Sequence, residues 1–299
     1  MRWWRRPIGR WPRTHERKEW ENVADTYALM VHPARKDARL AAEKMADGLC
    51  RAGIQVIYPQ TGGQTEKCRM VLTFGGDGTL LAGARVAIRY DCPLLGINLG
   101  TLGFLTEGEP EQIEKTIRAL EENRYTLESR GLLSVQVNEE TEKHLALNDA
   151  VVIRGGFARM IQVETWINQE HWSTFIADGV IAATPTGSTG YSLSAGGPVI
   201  APGVDCMAVT PVCAHSLQHC PCIVPTNAEI LFRLRKSRDQ LAELQIDGQS
   251  VRTLAAGDSV RVTGAKKALQ LVRLEEYRFF SVLEKKLNEW SSPREDRQG

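Results

Sequence analysis

The chain has 299 residues, 42% of them hydrophobic, with 37 Lys and Arg against 36 Asp and Glu and a net charge of +1 at pH 7. Such a composition belongs to ordinary globular proteins and leaves room for two domains with sizeable cores. Balanced charge gives no electrostatic reason to expect a nucleic acid or an acidic membrane as partner, and no apolar run reaches membrane-spanning length. Residues 1–26 read as a flexible extension: Met1–Lys18 is rich in Arg and Trp but lacks an apolar signal core, and Pro7 and Pro12 interrupt any helix. Seven cysteines without disulfide-framework spacing, in a chain with no export signal, suggest a reducing cytoplasm.

In chain order, Tyr27–Val31 reads as a strand ending at His32-Pro33, and 37–52 as a helix on the spacing of Leu40, Ala41, Met45 and Leu49. Strands follow at 54–58 and 70–74, a helix at 80–88, a strand at 94–98 and a helix at 110–122 with Ile113, Ile117 and Leu120 on one side. Alternation of this kind predicts an α/β domain, residues 27–130, with a parallel sheet covered on both faces. From Leu132 the texture changes to short alternating runs at 132–137, 145–153, 161–167, 172–176, 180–183, 208–212, 230–235, 244–246 and 259–263. These predict a β-rich, antiparallel, sandwich-like domain over 131–275. A closing helix at 279–290, with Phe280, Leu283 and Leu287 on one face, places 276–299 as a segment that returns to the first domain.

The first chemical signal is Gly75-Gly76-Asp77-Gly78-Thr79, directly after the apolar run Met70–Phe74. Glycines at a strand end let backbone N–H groups approach a phosphate, and a helix starting at Thr79 would add its positive end. Gly75, Gly76, Gly78 and Thr79 therefore read as a phosphate-donor loop. A carboxylate beside a phosphate repels it unless it serves chemistry, so Asp77 suggests phosphoryl transfer to an alcohol. The plainer reading is a tight turn with Asp77 capping the next helix. Beyond the carboxyl ends of a parallel sheet, this turn and Gly100–Phe104 would border one crevice.

The second is the stretch from Asp178 to Pro198, a strand that runs into a loop crowded with Thr, Ser and Gly around one aromatic, Tyr191. Hydroxyls and backbone amides suit a ribose and phosphates, and Tyr191 suits a base; the plainer reading is a structural turn cluster with Tyr191 in the core. Together with Asn148-Asp149 after an apolar strand, Asn98–Leu105, Pro211–Leu217, Asp247-Gly248-Gln249 and the 279–290 tail, these motifs resemble the NAD kinases, which phosphorylate the 2′-hydroxyl of the adenosine ribose of NAD. The diglycine-aspartate turn alone is shared with diacylglycerol and sphingosine kinases and, more loosely, phosphofructokinases. The long threonine-rich motif is not.

The resemblance implies that Asp77 is the proton acceptor for the attacking hydroxyl, with Gly78 the backbone beside it. It places Asn148 and Asp149 on the ribose hydroxyls and adenine, Asp178 facing the dinucleotide, and Thr189, Gly190, Tyr191, Ser192, Leu193 and Ser194 around adenine and ribose. Asp149 stands where glutamate is commoner and Gly190 where alanine is usual. Arg159 sits where many members carry a basic or polar residue near the substrate, and Gln249 closes the Asp-Gly-Gln turn. The family implies ATP or polyphosphate as donor, a divalent metal (Mg²⁺) with no side-chain ligand assigned here, and a homodimer or homotetramer, with substrates in the cleft between domains. Two alternatives remain open on the residues: a lipid or sugar kinase sharing the turn, and a non-catalytic dinucleotide sensor that would not need Asp77. Cys206, Cys213, His215, His219, Cys220 and Cys222 crowd together without a recognised zinc spacing, and Cys206 and Cys213 read as buried strand ends.

Overall fold

The structure, a computed structural model, describes residues 25–59, 67–100, 103–156, 160–215, 220–235 and 241–291. It divides into two compact units, one holding Ser129–Ala268 and the other the described residues up to Glu128 together with those from Leu269 onward. The chain passes from one to the other inside two strands, β5 (Thr126–Val137) and β16 (Ser259–Arg273).

In the α/β unit the strands β1 (Thr26–Val31), β2 (Gln55–Ile57), β3 (Met70–Gly75) and β4 (Leu94–Asn98) are parallel and ordered β2-β1-β3-β4, with the end of β16 beside β4 through Leu271↔Leu94. Strand β3 is buried along its whole length, which requires cover on both faces. Met70, Leu72 and Phe74 join a cluster with Met45 and Leu49 of α1 (Lys36–Arg51) and with Ile113, Ile117 and Leu120 of α3 (Ile113–Glu121). The alternate residues Val71 and Thr73 face Gly83 of α2 (Asp77–Tyr90). Two boundaries differ from expectation. Helix α2 begins at Asp77 rather than Thr79, and Pro110–Gln112 is a 3-10 turn ahead of α3, Pro110 taking the first helical position where its missing N–H costs nothing.

The β unit is a two-sheet sandwich. One sheet has the order β12-β11-β10-β7-β14-β15, formed by Cys222–Pro225, Cys206–Val212, Gly179–Ala183, Asp149–Arg154, Ala242–Ile246 and Gln249–Leu254 respectively, every pairing antiparallel. The other runs β16-β13-β8-β9, using Glu229–Leu234, Ile161–Ile167 and Glu170–Ala177 for β13, β8 and β9, and β6 (His144–Ala146) pairs with β5. Strand β8 buries alternate residues, Ile161 and Val163 meeting Phe175, Ile230 and Phe232 on the inner side, where Ala150, Val152, Val180, Ala182, Met207 and Val209 of the first sheet close the core. Strands β10 and β11 are buried on both faces, because Val151, Ile181, Ala183 and Val212 form a second, outer cluster.

Four expectations need correction. The run 145–153 is two strands: β6 belongs to one sheet and β7 to the other, and the chain crosses at Leu147-Asn148. Strands β5 and β16 extend well beyond 132–137 and 259–263 because each continues from one unit into the other. Strands β12 and β15 were not foreseen; both are sheet edges whose outward positions are exposed, so neither shows a full apolar alternation. Cys206 is buried, but Cys213 is exposed in a left-handed turn (φ +48). Helix α5 (Phe279–Ser291) follows β16, and no helix of the described residues is long and apolar enough to cross a membrane.

Candidate active site

In the α/β unit the glycine turn ends β3 and opens α2. Gly76 is the N-cap, extended and without a side-chain hydrogen bond, so Asp77 does not cap its helix. Its carboxylate turns away to the loop after β4, accepting the N–H of Phe104 at 3.1 Å and of Leu105 at 3.3 Å. The helix thus keeps unsatisfied N–H groups and its positive end at the turn, with a half-buried carboxylate held beside them. The two loops also meet through the backbone, the N–H of Leu99 donating to the Gly75 carbonyl at 3.3 Å. Thr101 and Leu102 lie outside the described residues.

Buried groups hold that loop. Asn98, only 4% exposed, accepts from the Thr106 hydroxyl at 3.2 Å and donates to the Gly100 carbonyl at 2.9 Å. Tyr277, after β16, donates its hydroxyl to the Phe104 carbonyl at 2.9 Å, and the Arg273 guanidinium lies 3.8 Å over its ring. Arg273 is itself buried and paired with Glu107 and Glu128, each at 2.7 Å. Tyr277→Phe is therefore expected to cost about 1 kcal/mol of stability, read as a small fall in Tm. Gly103 matters more directly, since a Cβ there would overlap Asp77 Oδ1. Gly103→Ala is expected to displace the carboxylate and to slow any reaction that depends on its position by about 10²-fold while the protein stays folded, as checked by steady-state kinetics beside thermal unfolding.

In the β unit the threonine-rich motif wraps the start of β7. Thr184 donates its hydroxyl to the Leu147 carbonyl at 2.6 Å, its N–H to the Asn148 carbonyl at 2.8 Å, and accepts the Gly187 N–H at 3.1 Å. Ser188 ties the loop to Ile200, and Ser192 is fully buried with its hydroxyl 2.9 Å from that of Thr210. These hydroxyls are committed to the protein and shape the loop. What the loop leaves outward is Tyr191, 39% exposed and not in the core, with Ser194 exposed and Thr189, Gly190 and Leu193 half-buried. Gly190 stands over Asn148: a Cβ there would lie 3.9 Å from Nδ2 and 3.3 Å from the Gly187 carbonyl. Asn148 Oδ1 is buried with no hydrogen-bond partner among the described residues, an open acceptor beside the loop.

Asp149 is 5% exposed, and burial pushes its carboxyl up to about 7, with the Asp247 carboxylate adding to the rise. Asp247 occupies the left-handed position of the Asp-Gly hairpin between β14 and β15 (φ +47, then Gly248 at +74). From there it accepts the N–H groups of Leu147, Asn148 and Asp149 at 2.9, 2.7 and 3.2 Å. It is the residue that sets the Asn148-Asp149 crossing, and sequence reasoning, which stopped at Gln249, missed it; the Asp-Gly pair between two apolar runs was the available signal. Gln249 itself is exposed on the far side of the hairpin.

Asp178 is placed differently from the other carboxylates. It pairs with Arg154 at 2.8 Å, and the register Asp149↔Ala183, Ile153↔Gly179 puts it at the opposite end of β10 from Asp149, on the order of 16 Å along the strand. Burial is the chief cause that raises the phenol of Tyr191, with smaller contributions from Cys213, Asp178 and Asp149. Arg159 falls outside the described residues.

Known proteins are similar to this chain in sequence and fold. The ATP-NAD kinase N-terminal domain matches residues 63–125 and the ATP-NAD kinase C-terminal domain residues 147–274. An NAD kinase of Desulforamulus reducens is 33% identical over 285 residues, covering 90% of this chain and 99% of that one. The chain belongs to the NAD kinase family. A relative from Sulfurimonas denitrificans is 40% identical over 223 residues, 74% of this chain and 78% of its own. Among solved structures, yeast NADH kinase complexed with NADH superposes with a TM-score of 0.80 at 25% identity over 93% of this chain and 92% of that one. An NAD kinase from Archaeoglobus fulgidus in complex with ATP gives 0.70, also at 25% identity, over 88% and 98%. As a member of this family the chain is a phosphotransferase, and neither a lipid or sugar kinase nor a dinucleotide sensor is favoured.

Proposed function

We propose that this kinase transfers the terminal phosphoryl group of ATP or polyphosphate to the adenosine-ribose 2′-hydroxyl of NAD, with Asp77 as the residue that receives the hydroxyl proton. One observation supports this above others: a carboxylate fixed by the Phe104 and Leu105 N–H groups at the mouth of an uncapped helix. A structural capping Asp would have turned to its own helix. Phosphoryl transfer asks for alignment and charge compensation more than covalent help. The 2′-oxygen attacks the γ-phosphorus, the bond to the β,γ-bridging oxygen breaks, ADP leaves, and the hydroxyl proton passes to Asp77 and then to water. Backbone N–H groups of Gly76 and Gly78 at the α2 N-terminus face the transferred group, the Thr79 N–H being spent on the Gly76 carbonyl.

Recognition of the dinucleotide belongs to the β unit. Asn148 Oδ1 and the Asp149 carboxylate accept from adenine and ribose donors, and Tyr191 stacks on the base while Thr189, Gly190, Leu193 and Ser194 border it. Ser192 acts from below by fixing the loop to Thr210. Arg159, Asp178 and Gln249 are assigned to the dinucleotide on family grounds. No three His, Cys, Asp or Glu side chains group as a metal site among the described residues, and Mg²⁺, which suits phosphate oxygens and water, would be held chiefly by the donor itself. A bound divalent cation would neutralise charge on the β and γ oxygens. We further assign the enzyme to the cytoplasm and to a homodimer or homotetramer, the latter checked by light scattering. Purified protein incubated with NAD, Mg²⁺ and either ATP or polyphosphate should yield NADP, detected with an NADP-specific dehydrogenase; no NADP with either donor would overturn the reading.

A further inference from the structure

The order β2-β1-β3-β4 contains a switch point. The chain leaves β1 through α1 toward β2 and leaves β3 through α2 toward β4, on the opposite face, so the loops after β1 and β3 diverge and open a crevice at their carboxyl ends. The wall formed by Gly75–Asp77 is the one described above. Facing it is the segment 32–35, which the sequence reading left without a role. The His32 N–H donates to the Phe74 carbonyl at 3.0 Å, and Arg35 Nη1 donates to the Leu99 carbonyl at 2.5 Å, beside the residue that receives the Leu99 N–H, Gly75. Gly100 has φ +112, and the nearest atoms to a Cβ there would be Arg35 Nη1 and Nη2, at 3.7 and 3.9 Å. The guanidinium therefore reaches across the crevice to the loop after β4. Over Gly76 and Gly78 no atom of another element among the described residues lies within 4 Å of where a Cβ would stand, so the turn is open on that side among those residues.

The rest of the Arg35 fork is held by Asp37, Nε to Oδ1 at 3.0 Å and Nη2 to Oδ2 at 2.5 Å. The two side chains are 38% and 54% exposed, and an ion pair so open to water is readily exchanged. A carboxylate here presents the guanidinium with the same two-oxygen edge that a phosphate offers. A polyanionic donor brought beside Asp77 needs a cation as well as N–H groups, and an adjoining groove lined by His32, Pro33, Arg39 and Tyr58, with Glu43 as its carboxylate, leaves room for the remainder of the donor.

We propose that Arg35 binds the phosphates of the donor, its fork leaving Asp37 for a phosphoryl group while Nη1 keeps the Leu99 carbonyl. This rests on the kinase reading above, and the test separates the two. Binding of inorganic tripolyphosphate would be measured by calorimetry without NAD, next to KM for ATP and for NAD, in the wild-type protein, Arg35→Ala, Arg35→Lys and Asp37→Asn. Arg35→Ala should weaken tripolyphosphate binding and raise KM for ATP by about tenfold to a hundredfold, leaving NAD affinity unchanged, with Lys restoring part of the loss. Asp37→Asn, which removes the competing carboxylate, should bind tripolyphosphate at least as tightly as wild type; weaker binding there, or wild-type binding in Arg35→Ala, overturns the proposal even if the alanine variant folds poorly. Wild-type protein that forms NADP while Arg35→Ala keeps its KM for ATP sinks this site and leaves the kinase. Protein that forms no NADP yet binds tripolyphosphate through Arg35 does the reverse.

Discussion

Asp77→Asn is expected to lower kcat by about 10³-fold while the NAD dissociation constant stays within about threefold. Asparagine keeps the shape and one oxygen, so the bonds that the carboxylate accepts from Phe104 and Leu105 are only partly lost and the loop after β4 stays near its place. What disappears is the group proposed to take the hydroxyl proton. The pattern to look for in steady-state kinetics and calorimetry is thus a loss confined to turnover. Equal losses in turnover and NAD affinity would make Asp77 a structural tie of the loop, and unchanged turnover would remove it from the chemistry.

The second large effect is at Asp149. Its carboxyl is raised from 3.8 to about 7 by burial and, after that, by the Asp247 carboxylate. Because the folded value lies above the unfolded one, the folded protein holds a proton that the unfolded chain releases. The contribution to stability is complete below the unfolded value and is lost as pH rises through the folded one, by on the order of 4 kcal/mol in all. Asp149→Asn has no proton to lose, so its Tm should exceed that of wild type above about pH 8 and match it near pH 4. Binding follows the opposite sense. On the role proposed for Asp149, ribose hydroxyls would donate to the ionised carboxylate, so NAD binding below about pH 7 would expel the proton, and affinity should improve about tenfold from pH 6 to pH 8. Calorimetry in buffers of different ionisation enthalpy would count that proton. A pH-independent affinity in wild type, or an Asn variant with the same slope, would contradict this account.

Much of the architecture was legible because it rests on periodicity. Buried runs such as Met70–Phe74 and Leu94–Asn98, alternating with helices, mark a parallel sheet, and the alternation in Ile161–Ile167 marks a sandwich strand. Less legible were features set by tertiary partners. The chain crosses between sheets at Leu147-Asn148 because Asp247, about a hundred residues later, captures three consecutive N–H groups. The extents of β5 and β16 depend on both units. In the site, residue type pointed to Asp77, Asn148, Asp149 and Tyr191, of which the structure leaves Asp77 half-buried and Tyr191 exposed while Asp149 and the Asn148 Oδ1 are buried. It could not distinguish Ser192, spent on Thr210, from Ser194, which is exposed, nor see that Asp178 meets Arg154. Arg35 carried no motif at all and is visible only from the Leu99 carbonyl it reaches.

The most direct test of the central claim is the position of the transferred phosphate. NAD, ATP and Mg²⁺ would be turned over by the purified enzyme and the product examined by phosphorus–proton correlation NMR. The account predicts one new phosphomonoester, coupled to the 2′-proton of the adenosine ribose. A phosphate on any other hydroxyl, or ATP cleaved with no phosphoryl group on NAD, would contradict it.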